Sequence, residues 1–324
     1  MSSTPLGPGA EFDLIRRILQ DAASPSSRVA LAAGDDCALI DVGEGYLALT
    51  VDMSVEGVHF LAAWGERERA GRRAVLAAVS DLAAMAARPL GVLVSLSMPA
   101  EEGADAAERM GRSCRLATEE MGATLIGGDV SRGGTGLVID VTVLGEVSDP
   151  LLRSGARPGD DLFLTGRLGA AAAAVRAWRE DREPATAWVE RFWNPQPRIR
   201  EALWLCERGA RAAIDLSDGL VADAAHVAAA SGVAVELDWE AVPTADGVGT
   251  SLALSGGEDY ELLAAVPAGI LNGAGISDFE RAFELPLTRV GRVVSGSGVR
   301  VFRDGEEVRV SASGFDHFRL EAEP

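Results

Sequence analysis

The residues best able to do chemistry in this chain are its aspartates. Five segments set them beside glycine or against apolar runs: GDDCALI (34–40), TVDMSVEGVHF (50–60), VSDLAAM (79–85), GGDVSRG (127–133) and AIDLSDGLVAD (213–223). After Gly34, Asp35 and Asp36 present adjacent carboxylates that repel each other unless a cation or backbone donors intervene; a plain surface turn is the alternative. Asp52 and His59 lie close enough in sequence to share one cleft edge, where the imidazole would suit an anionic substrate; otherwise His59 is a hydrogen-bonded histidine beside Phe60. Asp81 falls within an apolar helical stretch and needs a metal, an arginine or a helix terminus as partner. Asp129 is expected at the C-terminal end of a strand, with Gly127 and Gly128 allowing close backbone approach to phosphate. Asp215 is expected to end another strand, and Ser217, Asp218 and Gly219 to open a helix. They serve either as ordinary caps or as metal ligands with the helix N-terminus facing phosphate.

The rest of the composition narrows the chemistry. The chain contains no lysine, so all 30 basic residues are arginine. That excludes a Walker A loop, a kinase-type phosphate lysine and Schiff-base chemistry, each of which needs the primary amine. Several strand-end or turn carboxylates without lysine are what a multi-Mg²⁺ phosphate site uses. With 49 acidic residues the net charge is -19, and no basic patch offsets it, so nucleic acid is not an expected partner. Cys37, Cys114 and Cys206 lie far apart without CxxC spacing and fit a reducing cytosol. Neither a signal peptide nor a membrane-length apolar run stands out, so a cytoplasmic protein without a membrane partner is expected. Neither Ser/His/Asp nor zinc spacing is present; GSG at 296–298 reads as a hairpin turn and the 166–169 turn as packing.

The elements that must position these aspartates read as mixed α/β. The chain has 324 residues, 48% hydrophobic and 24% charged, enough for two domains. In the first half, helical spacing covers 11–22, 66–87 and 101–121, the second a run of arginines alternating with Ala, Val and Leu and stopped by Pro89. Strands are expected at 47–51, 91–98, 123–126 and 137–147. A turn cluster at 148–150 divides the chain into domains 1–149 and 150–324. The second half reads as strands at 161–165, into Asp215, 233–237, 261–266, 289–294 and 299–302, with an Ala-rich helix after Gly169 and helices at 197–208 and 218–231.

In order and over almost the whole length, the motifs GAEFDLI, GDDCALI, VDMSVEGVHF, SDLAAMAARP, GGDVSRG, LLRSGARPGD, IDLSDGLVAD, LSGGEDYEL and GFDHF resemble the thiamine-monophosphate kinase family. That family sits within the ATP-binding superfamily of aminoimidazole ribonucleotide synthetase. The resemblance implies a PurM-like α/β architecture, with an N-terminal domain that dimerises through its sheet and a C-terminal α/β domain completing the site. It implies direct transfer of the ATP γ-phosphoryl group to thiamine monophosphate, giving thiamine diphosphate and ADP without a phosphoenzyme. It implies Asp36, Thr50, Val51 through its backbone, Asp52, Asp81, Asp129, Asp215 and Asp218 as ligands of several Mg²⁺ ions. Gly128, Arg153 and Ser217 become ATP contacts, and His59, Glu258 and Phe315 thiamine-phosphate contacts, with Phe315 suited to stack on a ring. A phosphate acceptor is already nucleophilic near neutral pH, so no general base is assigned. The chain departs from the family pattern at Val51, Ala78 and Val130–Ser131; Val51 and Val130 supply no side-chain oxygen, which leaves their carbonyls. The competing readings are another ATP-dependent synthetase or dehydratase of the superfamily, and a non-catalytic acidic metal-binding module.

Overall fold

A computed structural model describes residues 5–20 and 26–310. The first unit runs α1 (Ala10–Leu19), β1 (Val29–Leu31), β2 (Ala38–Asp41), β3 (Tyr46–Val55), α2 (Glu68–Ala84), β4 (Arg88–Met98), α3 (Ala104–Glu120), β5 (Thr124–Arg132) and β6 (Val138–Val147). Its strands form one sheet in the order β1-β2-β3-β6-β4-β5. Only β4 and β5 pair in parallel, as the α3 crossover between them requires.

The second unit runs β7 (Asp160–Thr165), α4 (Ala170–Arg179), α5 (Thr186–Trp193), α6 (Ile199–Glu207), β8 (Ala212–Asp215), α7 (Leu220–Ser231), β9 (Ala234–Asp238), α8 (Thr250–Ser255), β10 (Leu262–Pro267), α9 (Gly273–Phe283), β11 (Leu287–Val294), β12 (Gly298–Arg303) and β13 (Glu306–Val308). Its sheet order is β13-β12-β9-β11-β7-β10-β8.

The helix α2 joins the two units. Seven of its 17 residues are Ala or Gly, and 13 are buried, so it is buried nearly all round rather than along one stripe. At Gly71 it approaches α3 so closely that a Cβ would stand 2.6 Å from the Met110 sulfur. Along its length α2 packs on β3 and β6 of its own sheet and on α6 and β8 of the second unit. Its C-terminal Ala83 and Ala84 belong to the same apolar cluster as Phe163, Leu205 and Phe279.

Several expected boundaries move. β3 extends from 46 to 55, so Asp52 lies inside the strand. β5 runs through the GGD motif, so Asp129 is also mid-strand and not at a strand end. Gly128 takes φ 152°, and a Cβ there would meet the Val94 carbonyl at 1.8 Å, so this glycine serves the β4–β5 approach. The 296–298 segment is not a hairpin turn: β12 crosses to pair with β9 in parallel, while β11 pairs with the other edge of β9. Among the described residues no helix is long and apolar enough to cross a membrane.

Candidate active site

Three carboxylates from three separate elements meet between the units. Asp36 comes from the turn before β2, Asp81 from α2 and Asp215 from the end of β8; one oxygen from each lies within 4.8 Å of the others. Hydroxyl donors orient two of them: Thr50 Oγ1 on β3 donates to Asp81 at 2.6 Å, and Ser80 Oγ on α2 donates to Asp215 at 2.6 Å. Arg153, in the segment joining the units, donates from Nε at 3.2 Å and from a terminal nitrogen at 2.6 Å to Asp36 Oδ1. The other oxygen, Asp36 Oδ2, is buried without a hydrogen-bond partner among the described residues.

This geometry is electrostatically unfavourable for three bare anions. Burial, followed by the fields of Asp215 and Asp36, holds the Asp81 carboxyl well above the usual carboxylate range. Burial and the neighbouring Asp36 push Asp215 up to about 7 against the pull of the Ser80 hydroxyl. An orphaned buried oxygen, three convergent oxygen donors and two carboxyls reluctant to ionise alone fit a hard divalent cation. Asp35 is not part of the set: it accepts from the Asp36 and Arg153 backbone N–H groups and fixes the turn.

Asp52 lies near enough to raise Asp81 by its charge. Asp218 falls in a second group with Asp223 and His226, again with one candidate ligand atom from each within 4.8 Å. Asp223 accepts from the backbone N–H groups of Asp218 (3.2 Å) and Gly219 (3.0 Å), so it secures the turn that opens α7. Burial, then Asp218 and Asp215, raise the Asp223 carboxyl. The sequence reading includes Asp223 as the end of the AIDLSDGLVAD segment but gives it no role, although it is buried in an otherwise largely apolar helix, the same signal that marks Asp81.

The remaining expected residues divide. Val51 directs its side chain to the opposite, exposed face of β3, 62% accessible. Asp129 is exposed on the edge strand β5, and pairing through Ser95 and Asp140 puts it on the face of Met53 instead of that of Thr50. It stands outside both carboxylate groups. The Ser217 carbonyl accepts from the Glu258 N–H at 2.8 Å, tying the two C-terminal motifs together. His59 and Glu258 line one cavity of about 410 Å³ with Trp64, Phe192, Arg176 and Arg179. The Val55 N–H donates to His59 Nδ1 at 2.9 Å, which places the proton of the neutral ring on Nε2. Trp64 stacks on Trp178 with centroids 5.0 Å apart and planes 10° from parallel, giving the cavity a rigid aromatic wall. Phe315 lies outside the described residues.

Fold and site define a two-unit protein of the AIR synthase related class: its N-terminal domain model matches residues 34–147 and its C-terminal domain model residues 157–304. The thiamine-monophosphate kinase of Escherichia coli K12 is 34% identical over 95% of this chain and 98% of its own. That of Caulobacter vibrioides is 35% identical over 96% and 91%. The structure of AaThiL complexed with AMPPCP and TMP superposes with a TM-score of 0.81 at 32% identity, covering 96% of this chain and 97% of that one. The thiamine-monophosphate kinase of Stenotrophomonas maltophilia superposes at 0.74 with 34% identity, over 94% and 98%. The chain belongs to the thiamine-monophosphate kinase family.

Proposed function

We infer that the chain transfers the γ-phosphoryl group of ATP to thiamine monophosphate, giving thiamine diphosphate and ADP. The observation that carries this reading is the Asp36–Asp81–Asp215 group together with a cavity lined by Trp64, Phe192 and Glu258, the last tied to the Ser217 carbonyl two residues after Asp215, in a chain that matches relatives named thiamine-monophosphate kinase over 91–98% of their length. Divalent cations, which we take to be Mg²⁺, would supply charge neutralisation between two phosphorylated substrates, held by Asp36, Asp81 and Asp215 with Thr50, Asp52 and Asp218 at their margin.

The chain's own residues then divide the work. Arg153 is paired with Asp36; a divalent cation held by that carboxylate would leave the guanidinium for a nucleotide phosphate. Ser217 and Gly128 complete the proposed nucleotide contacts. Val51 and Asp129 rest on the family resemblance alone. Across the site, Trp64 offers a platform for a ring, Glu258 an acceptor for an amino group, and the fixed His59 tautomer an Nε2–H donor for phosphate. The acceptor phosphate is the nucleophile, so alignment and charge neutralisation replace a general base. Among the superfamily alternatives, hydrogenase maturation proteins share the fold, one superposing with TM-score 0.69 at 21% identity.

We place the domain division in the segment that joins β6 to β7. We assign the exposed face of the first sheet, with Leu49, Val51, Met53 and Ile126, to a homodimer contact. Three free cysteines, two of them buried, support a reducing cytoplasmic location. Product analysis with ATP, Mg²⁺ and thiamine monophosphate tests the activity, with free thiamine as the acceptor that should fail.

A further inference from the structure

Arg73 lies in the middle of α2 and is 2% exposed, a position where a guanidinium persists only if its charge and donors are engaged. Its Nε donates to the Phe192 carbonyl at 3.1 Å, its Cζ lies 4.6 Å from the Phe192 ring centroid, and a terminal nitrogen forms an ion pair with Glu258. Arg73 does not itself line the acceptor cavity, whereas Glu258 does.

The Glu258 backbone is held as tightly. Glu258 and Tyr260 take φ 73° and 51°, left-handed values that cost a non-glycine residue energy unless its surroundings hold it there. Hydrogen bonds from the Glu258 N–H to the Ser217 carbonyl and from the Tyr260 N–H to the Leu216 carbonyl, each 2.8 Å, supply that hold. With the backbone clamped and Oε2 engaged by Arg73, Oε1 is left to meet a ligand in the cavity.

We propose that Arg73 is a positioning residue for the acceptor: from the N-terminal unit it fixes the carboxylate that the C-terminal unit presents to the substrate ring system. This rests on the thiamine-phosphate reading of the cavity. An arginine suits the task better than a lysine, because its planar fork pairs with Glu258, bonds the Phe192 carbonyl and lies over the Phe192 ring at once.

The test is steady-state kinetics with each substrate varied separately, on wild type, Arg73→Gln, Arg73→Lys, Glu258→Gln and the double variant Arg73→Gln/Glu258→Gln, with circular dichroism as the folding control. The expected result is a rise of about tenfold or more in KM for thiamine monophosphate in Arg73→Gln, with KM for ATP within about twofold of wild type. Arg73→Lys should fall between the two, and the double variant should be no worse than Glu258→Gln alone. Losses that add in the double variant, or a rise in both KM values together, overturn the proposal. If Arg73→Gln does not fold, Arg73→Lys, alone and combined with Glu258→Gln, carries the same comparison. A wild type that does not turn over thiamine monophosphate overturns the acceptor reading and this inference with it. Wild-type turnover with additive variants overturns the inference alone.

Discussion

Replacing Asp81 by Asn should stabilise the metal-free protein while abolishing its activity. Asp36, Asp81 and Asp215 hold oxygens within 4.8 Å of one another. At an effective dielectric of about 20, each fully ionised pair at that distance repels by about 3 kcal/mol. Asp81→Asn removes two of the three pairs. Proton uptake already relieves part of the strain in the wild type, because Asp215 titrates at about 7 and Asp81 lies well above the usual range. The net gain expected in EDTA near pH 8 is therefore about 1–3 kcal/mol, or a rise in Tm of about 1.5–4.5 °C for a chain of this length. It should shrink toward pH 6, where the wild-type carboxyls take up protons. Asn Oδ1 can still accept from the Thr50 hydroxyl that now bonds Asp81, so local packing is retained. Thermal melts in EDTA and in Mg²⁺ with ATP, at pH 6 and pH 8, read the effect. In Mg²⁺ and ATP the order should reverse, since only wild type gains ligand stabilisation. An Asp81→Asn protein less stable than wild type in EDTA at both pH values, or equally stabilised by Mg²⁺, would refute this electrostatic account.

Other consequences follow from the same geometry. Folded-state carboxyl pKa values above those of the unfolded chain mean that the native protein binds more protons between about pH 4 and 7. Metal-free stability should therefore fall as pH rises through that window, and apparent Mg²⁺ affinity should rise over it, as calorimetric titration at pH 6 and 8 would show. The two substrates should separate genetically: Arg153→Gln raises KM for ATP by about 10–100-fold, the worth of a charged hydrogen bond. Trp64→Ala instead raises KM for thiamine monophosphate by about 3–10-fold, the worth of one aromatic contact; equal effects on both substrates would contradict the assignment. Val51→Asp on the exposed sheet face should convert a dimer to monomers by light scattering, and an unchanged mass would remove that face from the interface.

How much of this could be read from residues alone depends on whether a residue's signal is local. Asp81 was legible because a carboxylate inside an apolar helix is anomalous wherever the fold places it. Asp36 and Asp215 were legible as turn and strand-end carboxylates, but their meeting with Asp81 depends on α2 packing against β8, which no local pattern encodes. Arg73 was hidden in a run of arginines that looks solvated, although Arg73 is buried and faces the second unit. Glu261 reads as the first residue of a strand, yet it is 1% exposed and accepts from Thr165, Arg191 and Arg198, three partners distant in sequence. The helices α5 and α9 were not anticipated, since short, aromatic- or glycine-containing segments carry weak helical spacing. The strand ends at β3 and β5 extend past the apolar runs because Asp52 and the Gly127–Gly128–Asp129 segment interrupt the apolar pattern while the ladder continues beneath them.

The central claim is direct phosphoryl transfer between two bound phosphates. The most direct test is incubation of purified protein with Mg²⁺, thiamine monophosphate and ATP labelled in its γ-phosphate, followed by separation of products and protein. The account predicts label in thiamine diphosphate, none on the protein, and no transfer with EDTA or with free thiamine as acceptor. Label retained on the protein, or released only as inorganic phosphate while thiamine monophosphate remains unchanged, would contradict it.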